Sequence, residues 1–501
     1  MKSKVVTRMF KAHDWRVRTA CTLLILSVAT VITSEAQTYN VLARLATGDG
    51  LMPKSLVQGT DGNFYGVGSA GGHNGGGSIF KVTPAGTVTP LHLFCVPAPC
   101  RDGKVPNGLV LASDGNFYGT TRFGGARGDG AVFQVTPTGT VTTLYSFCAS
   151  QELCTDGAQP EGELIQGSDG ALYGTTSLGG NHGGGTVFKI TLSGVFTSIY
   201  SFCSKSPNCA DGSNPFAGLV EANNGLFYGT IGAGGRGSCE GPENSQGCGT
   251  LFRINSTGSS FTTLDNFCLQ PNCADGSLPE TSLIQAADGN IYGTTGAGGL
   301  VDGTCPEGCG IVFKMAKAGG PLTILHAFTS SEGAQVQNLI QATDGSFYGT
   351  ALSGGLSNQG TLFKMDSAGS SAGSVTVLVN FCNVASCQRT FNPSGVMQAT
   401  NGLFYGTTFG IGNGAVFTFG FPPFVRISPA FGPIGATVTI YGTDLSGATG
   451  VTFNGVPATF TIVSSGEIAT SVPAGTPGSS TVTVTTPSAT LAGDVKFRVT
   501  Q

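Results

Sequence analysis

Fourteen of the fifteen cysteines form seven pairs whose members are close in the sequence. Two sulfurs at such spacing can form a local disulfide or provide two ligands for zinc, as the Cys305-x3-Cys309 spacing illustrates. A structural zinc site needs four ligands, and neither a second cysteine pair nor a histidine pair lies at a suitable spacing. The even count favours disulfides. The pairs are Cys95/Cys100, Cys148/Cys154, Cys203/Cys209, Cys239/Cys248, Cys268/Cys273, Cys305/Cys309 and Cys382/Cys387.

Four carboxylates lie beside two of these pairs, in long glycine-rich segments. They are Glu240, Glu243, Asp302 and Glu307. If the two segments are neighbours in space, these side chains form a small acidic binding patch. The alternative interpretation is that they are ordinary solvated charges on loops.

An aspartate recurs in the pattern Cys-x-Asp-Gly, at Asp102, Asp156, Asp211 and Asp275. A calcium loop needs six or more oxygen ligands, with carboxylates at alternate positions. A single aspartate before glycine is typical of a turn whose backbone is capped by the side chain. We therefore expect turn caps here, and no metal site.

No set of residues suggests catalysis. His73 and His182 occupy related glycine-rich segments, whereas His92 and His326 occupy one repeated strand position. A residue placed by a repeat is a weak candidate for a general base. The sequence therefore predicts no catalytic residue and no cofactor.

A short motif of the type Asp-Gly-x-Phe-Tyr-Gly occurs seven times, with about 53 to 64 residues between copies. A ring of seven tyrosines could bind sugars, but neighbouring residues on a strand face opposite sides, and packing between repeats favours burial. We expect these tyrosines to be core residues. The copies begin at Asp61, Asp114, Asp169, Asn224, Asp288, Asp344 and Asn401.

The copies share the same four predicted strands, except that the seventh copy ends after its third strand, "AVFTFGF" at residues 415–421. A short apolar run precedes the Asp-Gly or Asn-Gly turn, which is the strongest short hairpin signal. The Phe-Tyr-Gly strand, a glycine-rich loop, a third strand, a Gly turn and a fourth strand follow. Seven such units predict an all-β, seven-bladed β-propeller over residues 37–421. The segment from Thr38 resembles a fourth strand, so we expect it to complete the last blade and close the ring.

Antiparallel order predicts that the glycine-rich loops and the connections between blades lie on one side of the ring. All seven cysteine pairs belong to that side, where long loops on a rigid scaffold commonly carry function. The connection "LHAFTSSEGA" at residues 325–334 lacks both cysteines of its pair. Loss of both members together is what a local disulfide predicts.

One glycine-rich loop, "GGARGDGAVF" at residues 124–133, resembles both a phosphate-binding loop and an adhesion tripeptide. It lacks the Lys-Ser/Thr and the following helix that phosphate loops use. Arg127-Gly128-Asp129 occurs in only one of seven copies, so the fold does not require it. The recurring glycines predict unusual backbone angles.

Residues 1–36 resemble a signal peptide, with six basic side chains, the apolar run "ACTLLILSVATVI" and small residues near Ala36. These residues carry six of the 24 basic side chains but only two of the 28 acidic ones, so the remaining chain is acidic. Such a charge makes nucleic acid and anionic membranes poor partners. The sequence predicts export to the extracellular space, the cell surface or the periplasm, a monomer, and no membrane span after signal removal.

Residues 422–501 lack the motif and alternate Val, Thr and Ile, which predicts a small β-sandwich. "GATVTIYGTDL" at residues 435–445, "VTFNGVPA" at 451–458 and "SVPAG" at 471–475 resemble an immunoglobulin-like IPT/TIG domain. The propeller copies resemble the GloVer tandem repeats of exported bacterial proteins. This resemblance implies location and architecture, but no activity and no catalytic residue.

The sequence thus predicts an exported, non-catalytic binding or scaffold protein. Its ligand would be an extracellular glycan or protein, bound or adhered to through the disulfide-containing side of the propeller. The alternative is an extracellular enzyme on the same scaffold, such as a polysaccharide lyase, a glycoside hydrolase or a lactonase, which rests on fold analogy alone.

Overall fold

The structure is a computed structural model, and it describes most of residues 38–500. The segments outside the description are 1–37, 47, 97–98, 150–153, 208, 238–246, 344, 367–372, 383–390, 411–412, 421–424, 443–444, 465, 487–489, 494–495 and 501. The predicted signal peptide, residues 1–36, therefore lies outside the described residues. None of the helices in the described part is long and apolar enough to cross a membrane.

The described residues form an all-β protein, as predicted. Its only helical elements there are three short 3-10 turns, at His73–Gly75, Pro271–Cys273 and Leu445–Gly447. Up to Gly420, the described strands form seven four-stranded antiparallel sheets, which we number 1 to 7 in chain order.

The strands of sheets 1 to 3 are β2 (Leu51–Gln58), β3 (Phe64–Ala70), β4 (Ser78–Val82) and β5 (Val88–Leu93); β6 (Lys104–Leu111), β7 (Phe117–Phe123), β8 (Ala131–Val135) and β9 (Val141–Ser146); and β10 (Ile165–Gln166), β11 (Leu172–Thr176), β12 (Thr186–Ile190) and β13 (Phe196–Ser201). Those of sheets 4 and 5 are β14 (Val220–Glu221), β15 (Phe227–Ile231), β16 (Thr250–Ile254) and β17 (Thr262–Asn266); and β18 (Ile284–Gln285), β19 (Ile291–Thr294), β20 (Ile311–Met315) and β21 (Thr323–Ala327).

Sheet 6 contains β22 (Ala334–Gln341), β23 (Phe347–Ser353), β24 (Thr361–Met365) and β25 (Val375–Asn380). Sheet 7 contains both ends of the repeat region: β26 (Pro393–Gln398), β27 (Phe404–Thr408), β28 (Ala415–Gly420) and, as its fourth strand, β1 (Thr38–Arg44). β1 pairs with β28 in antiparallel register, with Tyr39 opposite Phe419.

The repeated motif packs each sheet against the next. All seven tyrosines of the motif are buried, and the hydroxyl of Tyr65 donates to Asp61 Oδ2 over 2.9 Å. The ring of Tyr65 lies 4.2 Å from that of Phe117 in the following sheet, measured between ring centres. In the same way Tyr405 of sheet 7 stacks on Phe64 of sheet 1 at 4.0 Å. The tyrosines are therefore core residues, as predicted, and they link the last sheet to the first.

A second link joins the sheets near the Asp-Gly turns. The last residue of the first strand is Gln in five sheets and Glu in sheet 4, and its side-chain oxygen accepts from a backbone N–H in the preceding sheet. Gln285, for example, accepts from Asn223 N at 2.8 Å, and its amide also donates to Gly289 O in its own turn at 3.0 Å. We call these side chains the glutamine clamps. They are Gln58, Gln166, Glu221, Gln285, Gln341 and Gln398.

The remaining strands belong to the C-terminal segment. They form the four-stranded sheets β29-β31-β35-β34 and β33-β32-β37-β38 and the three-stranded sheet β30-β39-β36, around a core that includes Ile440, Phe453 and Phe497. Their bounds are β29 (Val425–Ser428), β30 (Phe431–Gly432), β31 (Thr437–Gly442), β32 (Gly450–Phe453), β33 (Val456–Ala458), β34 (Phe460–Ser464), β35 (Glu467–Ser471), β36 (Ser479–Ser480), β37 (Val482–Thr485), β38 (Thr490–Ala492) and β39 (Phe497–Val499).

Candidate functional site

The cysteines lie either in the connections between sheets or in the glycine-rich loops that contact these connections, and we call this surface the cysteine face. It comprises the loops between the second and third strands and the connections from each fourth strand to the next sheet. Gly125 N, for example, donates to Cys100 O at 2.9 Å, so the loop of sheet 2 rests on the connection that precedes it. Gly124, Gly125 and Gly130 in this loop have positive φ (78°, 76° and 101°), as the recurring glycines predicted.

Five predicted cysteine pairs are joined as disulfides: Cys95–Cys100, Cys148–Cys154, Cys203–Cys209, Cys268–Cys273 and Cys305–Cys309. Cys248 and Cys382 are also disulfide-bonded, whereas their predicted partners Cys239 and Cys387 lie outside the described residues. The three clusters of described residues with metal-like spacing all contain such bonded cysteines, whose sulfurs are not free to bind a metal ion.

The Cys-x-Asp-Gly aspartates hold their own connections together. Asp102 Oδ1 accepts from Cys95 N at 3.1 Å, and Asp211 Oδ2 accepts from Ser204 N at 3.0 Å. The same carboxylates bind the side chain at the repeated fourth-strand position: His92 for Asp102, at 3.0 Å, and Tyr200 for Asp211, at 2.8 Å. These contacts agree with turn caps.

The histidines have similar structural neighbours. His326 lies in the position of His92, with its Nε2 3.1 Å from Glu332 Oε2. His182 is exposed in its loop, and the side chain of His73 is outside the described residues. Neither His92 nor His326 faces the cavity described below.

The predicted acidic patch is described only in part, because Glu240 and Glu243 lie outside the described residues. Asp302 accepts backbone hydrogen bonds from Ser330, Thr304 and Cys305, and these lower its pKa to about 2. Its carboxylate is thus engaged in holding its loop. Glu307 is exposed and lies at the rim of a cavity. The patch as a binding site stays a prediction.

That cavity has a volume of about 650 Å³ and is lined by described residues of several sheets. In six sheets, the residue at one repeated position of the first-strand segment lines this cavity. The position directly follows a proline in sheets 1 to 5 and follows Val336 in sheet 6. These six residues comprise a lysine, two amides, two glutamates and a phenylalanine. We call the space that they surround the first-strand cavity. They are Lys54, Asn107, Glu161, Phe216, Glu280 and Gln337.

One extra residue changes the first strand in three sheets. Four steps separate Pro160 from Leu164 in sheet 3, where only three separate Pro53 from Leu56 in sheet 1, and sheets 4 and 5 share the longer spacing. As a result β10, β14 and β18 are two residues long, whereas β2, β6 and β22 are eight. Glu161, Phe216 and Glu280 of the cavity wall are therefore outside the strands.

Two glycines leave room beside these residues. Three positions after the Phe-Tyr-Gly motif, sheets 2 and 6 carry Arg122 and Leu352, but sheets 4 and 5 carry Gly232 and Gly296. A Cβ atom at Gly232 would lie 3.3 Å from Glu280 Oε1 and 3.4 Å from Phe216 Cδ2, so the carboxylate and the ring both border the space beside this glycine. At Gly296 the nearest atom would be Leu278 O, at 3.4 Å.

The carboxylates of the cavity region differ in how many positive charges lie near them. Burial raises the pKa of Glu161, and the charges of Arg122 and Lys54 oppose that rise; Arg122 Nε lies 3.1 Å from Glu161 Oε1. Burial also raises the pKa of Glu163, against a hydrogen bond from Ser55 and the charge of Lys54. Burial within the concave wall and the negative charge of Glu161 both raise the pKa of Glu280. Water reaches Glu280, yet no described residue donates to its carboxylate.

Sequence reasoning missed this cavity because it looked for function in the loops. The sequence does contain a signal: when the repeat copies are aligned, the position of Lys54 in sheet 1 and Gln337 in sheet 6 carries different residues, although the neighbouring positions are similar. Such variation indicates that packing of the repeat does not require one particular residue at this position.

The repeat profile called "Gloeobacter/Verrucomicrobia repeat" matches residues 28–242 and 238–419. The chain belongs to the Gloeobacter/Verrucomicrobia repeat family. Residues 422–499 match the IPT/TIG domain. The family member described here thus combines propeller-like repeats with an immunoglobulin-like domain, as the sequence resemblance predicted. No curated protein matches the chain.

Several solved structures resemble this family member in fold. A fungal alcohol oxidase of the AA5 family, in complex with copper, has a TM-score of 0.50 at 12% identity, over 93% of this chain and 100% of the other. PorZ, a surface component of the type-IX secretion system of Porphyromonas gingivalis, has 0.46 at 15%, over 88% of this chain and 58% of its own. An ulvan lyase of family PL25 has 0.43 at 12%, over 68% and 86%. At such identities the likeness concerns the fold alone.

Proposed function

We propose that the protein is an exported binding protein that takes a ligand into the first-strand cavity, on the cysteine face. The carrying observation is that one repeated position supplies six wall residues of five different amino-acid types to a cavity of about 650 Å³. Ligand cavities of proteins fall in this size range and carry a few convergent polar groups. A position that served packing alone would repeat its residue, as the buried phenylalanines and tyrosines of the motif do.

The proposed scaffold is a seven-bladed β-propeller over residues 37–421, closed by β1, after a signal peptide at 1–36 and before an IPT/TIG domain at 422–501. Support comes from the seven four-stranded sheets, the pairing of β1 with β28 and the stacking of Tyr405 on Phe64. In this arrangement the first strands surround a central channel, and the first-strand cavity is its mouth. The disulfides support export, since such bonds persist in oxidising compartments.

The test is glycan-array binding by the purified protein and by Gly296→Leu. Leucine at this position is accommodated in sheet 6 as Leu352, so the variant should fold while filling the cavity. Gly296→Ala is the matched control, because its Cβ meets nothing closer than an ordinary contact. We expect wild type and the alanine variant to bind a common glycan that the leucine variant does not. Equal binding by all three, or no binding by wild type, contradicts the proposal.

A second candidate function is an enzyme acting on an extracellular polysaccharide. Glu161 and Glu280 share one cavity wall, and both have a raised pKa, as carboxylates that exchange protons with a substrate do. Incubation with a polysaccharide panel, followed by assays for new reducing ends and unsaturated products, separates the candidates. Turnover by wild type that Glu161→Gln and Glu280→Gln both abolish favours the enzyme. Binding without turnover favours the binding protein.

A further inference from the structure

The carboxylate of Glu280 lies in the wall of the first-strand cavity without a hydrogen-bond partner among the described residues. Within the described residues, its oxygens receive no hydrogen bond and form no ion pair, whereas Glu161 is paired with Arg122. Glu307 at the rim also has no side-chain partner among the residues described. The part of the wall formed by sheets 4 and 5 is therefore negative and uncompensated, while Lys54 lies near Glu161 and Glu163.

An aromatic ring lies beside this carboxylate. Glu280 Oε1 and Phe216 Cδ2 both lie within 3.4 Å of the point where a Cβ would stand on Gly232, and Gly296 opens further space along the same wall. A cation over an aromatic ring is attracted by the ring's electron density, and a carboxylate receives its N–H groups in strong, charge-assisted hydrogen bonds. A protonated amine satisfies both groups at once.

The rest of the lining favours a sugar over a peptide. Gln335, Gln337, Thr281 and Ser353 provide amide and hydroxyl groups suited to the hydroxyls of a sugar ring. A peptide bound as an added strand needs a free strand edge, but β14 and β18 next to Glu280 are only two residues long. Resting on the proposed binding function, we propose that the first-strand cavity binds an oligosaccharide bearing a free amino group, with the ammonium held between Glu280 and Phe216.

The test is calorimetric titration with glucosamine oligomers, fully N-acetylated oligomers of the same length, and a lysine-containing peptide. We expect the glucosamine oligomer to bind about tenfold more tightly than the acetylated one, because acetylation removes the charge. Glu280→Gln should lose about that factor for the glucosamine oligomer and leave the acetylated one unchanged. The matched control is Glu221→Gln, since sibling sheets carry glutamine at this clamp.

The other outcomes separate the two proposals. If both oligomers bind equally well and Gly296→Leu binds neither, the preference for an amine is wrong but the cavity is still the binding site. Binding of the peptide alone overturns the sugar. No binding of any probe, together with a negative glycan array, overturns the binding function as well. A loss in Glu221→Gln as large as in Glu280→Gln also overturns the assignment to Glu280.

Discussion

The glycine of the Phe-Tyr-Gly motif is required by the phenylalanine opposite it. Gly174 pairs with Phe188 on the neighbouring strand, and a Cβ atom on Gly174 would lie 2.6 Å from the Phe188 ring and 2.7 Å from Leu164. All seven copies repeat this contact. The motif is thus a packing unit: the glycine admits one ring, the tyrosine stacks on the next sheet, and the aspartate binds the tyrosine hydroxyl.

Gly174→Ala should therefore lower the free energy of unfolding by about 1 to 3 kcal/mol, because the added methyl forces the Phe188 ring from its place. Urea denaturation measures the change. Gly296→Ala is the control, since its methyl has room. Equal stability of the two variants would contradict this explanation of the motif.

The carboxylate of Glu163 makes stability depend on pH. Burial raises its pKa above the ordinary 4.5, so the folded state retains a proton that the unfolded state releases. The free energy of unfolding should then decrease as pH rises above 4.5, through the window between the two pKa values. Glu163→Gln should remove the contribution of this group, so the variant should become more stable relative to wild type as the pH rises from 5 to 8. A constant difference between the two proteins from pH 5 to pH 8 would disprove it.

At the scale of elements, each sheet is held to the next by repeated contacts that differ in one or two copies. The connection after sheet 5 lacks its disulfide, and Glu332 holds it instead by accepting from Thr329 N at 2.9 Å. Sheet 2 lacks a glutamine clamp and has Leu111 in its place. The exceptions show which contacts the fold tolerates losing.

Gln285→Leu should remove one clamp and cost about 1 kcal/mol, the usual net value of one hydrogen bond. Leucine fits the position, as Leu111 shows. The sharper measurement is hydrogen exchange, because Asn223 N loses its acceptor and should exchange faster, while Ala287 N, bound to Gln341, should not. Unchanged protection of Asn223 would show that the clamp does not hold the sheets together.

At the scale of the whole molecule, the sequence predicted the all-β repeat because seven aligned copies show the same turns and strand spacing. It could not predict the first-strand cavity. The one-residue insertion before Leu164, Leu219 and Leu283 is hidden in a repeat whose length already varies, and the fates of Glu161 and Glu280 depend on three neighbouring sheets. The sequence predicts Asp302 in a binding patch because loops commonly carry function, but its oxygens accept hydrogen bonds from the backbone of its own loop and of Ser330.

Deletion of residues 38–46 should destabilise the whole repeat region. Without β1, the backbone of β28 becomes a free edge, and the buried side chains of Ala43 and Leu45 are lost from the core. We expect a lower melting temperature and association of molecules, measured by scanning calorimetry and size-exclusion chromatography. A synthetic peptide of residues 37–48 should restore both. A monomeric variant with unchanged melting would contradict a closing role for β1.

The pairing of Thr38 with Gly420 also sets an order of events. A chain that crosses a membrane from its N-terminus delivers β1 first, yet the partner of β1 arrives only after all other strands of the repeat region have emerged. Sheets 1 to 6 consist of consecutive strands and can fold as they appear, whereas sheet 7 must wait. Contacts so distant in sequence form slowly. Until then β1 has no partner strand, and a chaperone has that interval in which to bind it.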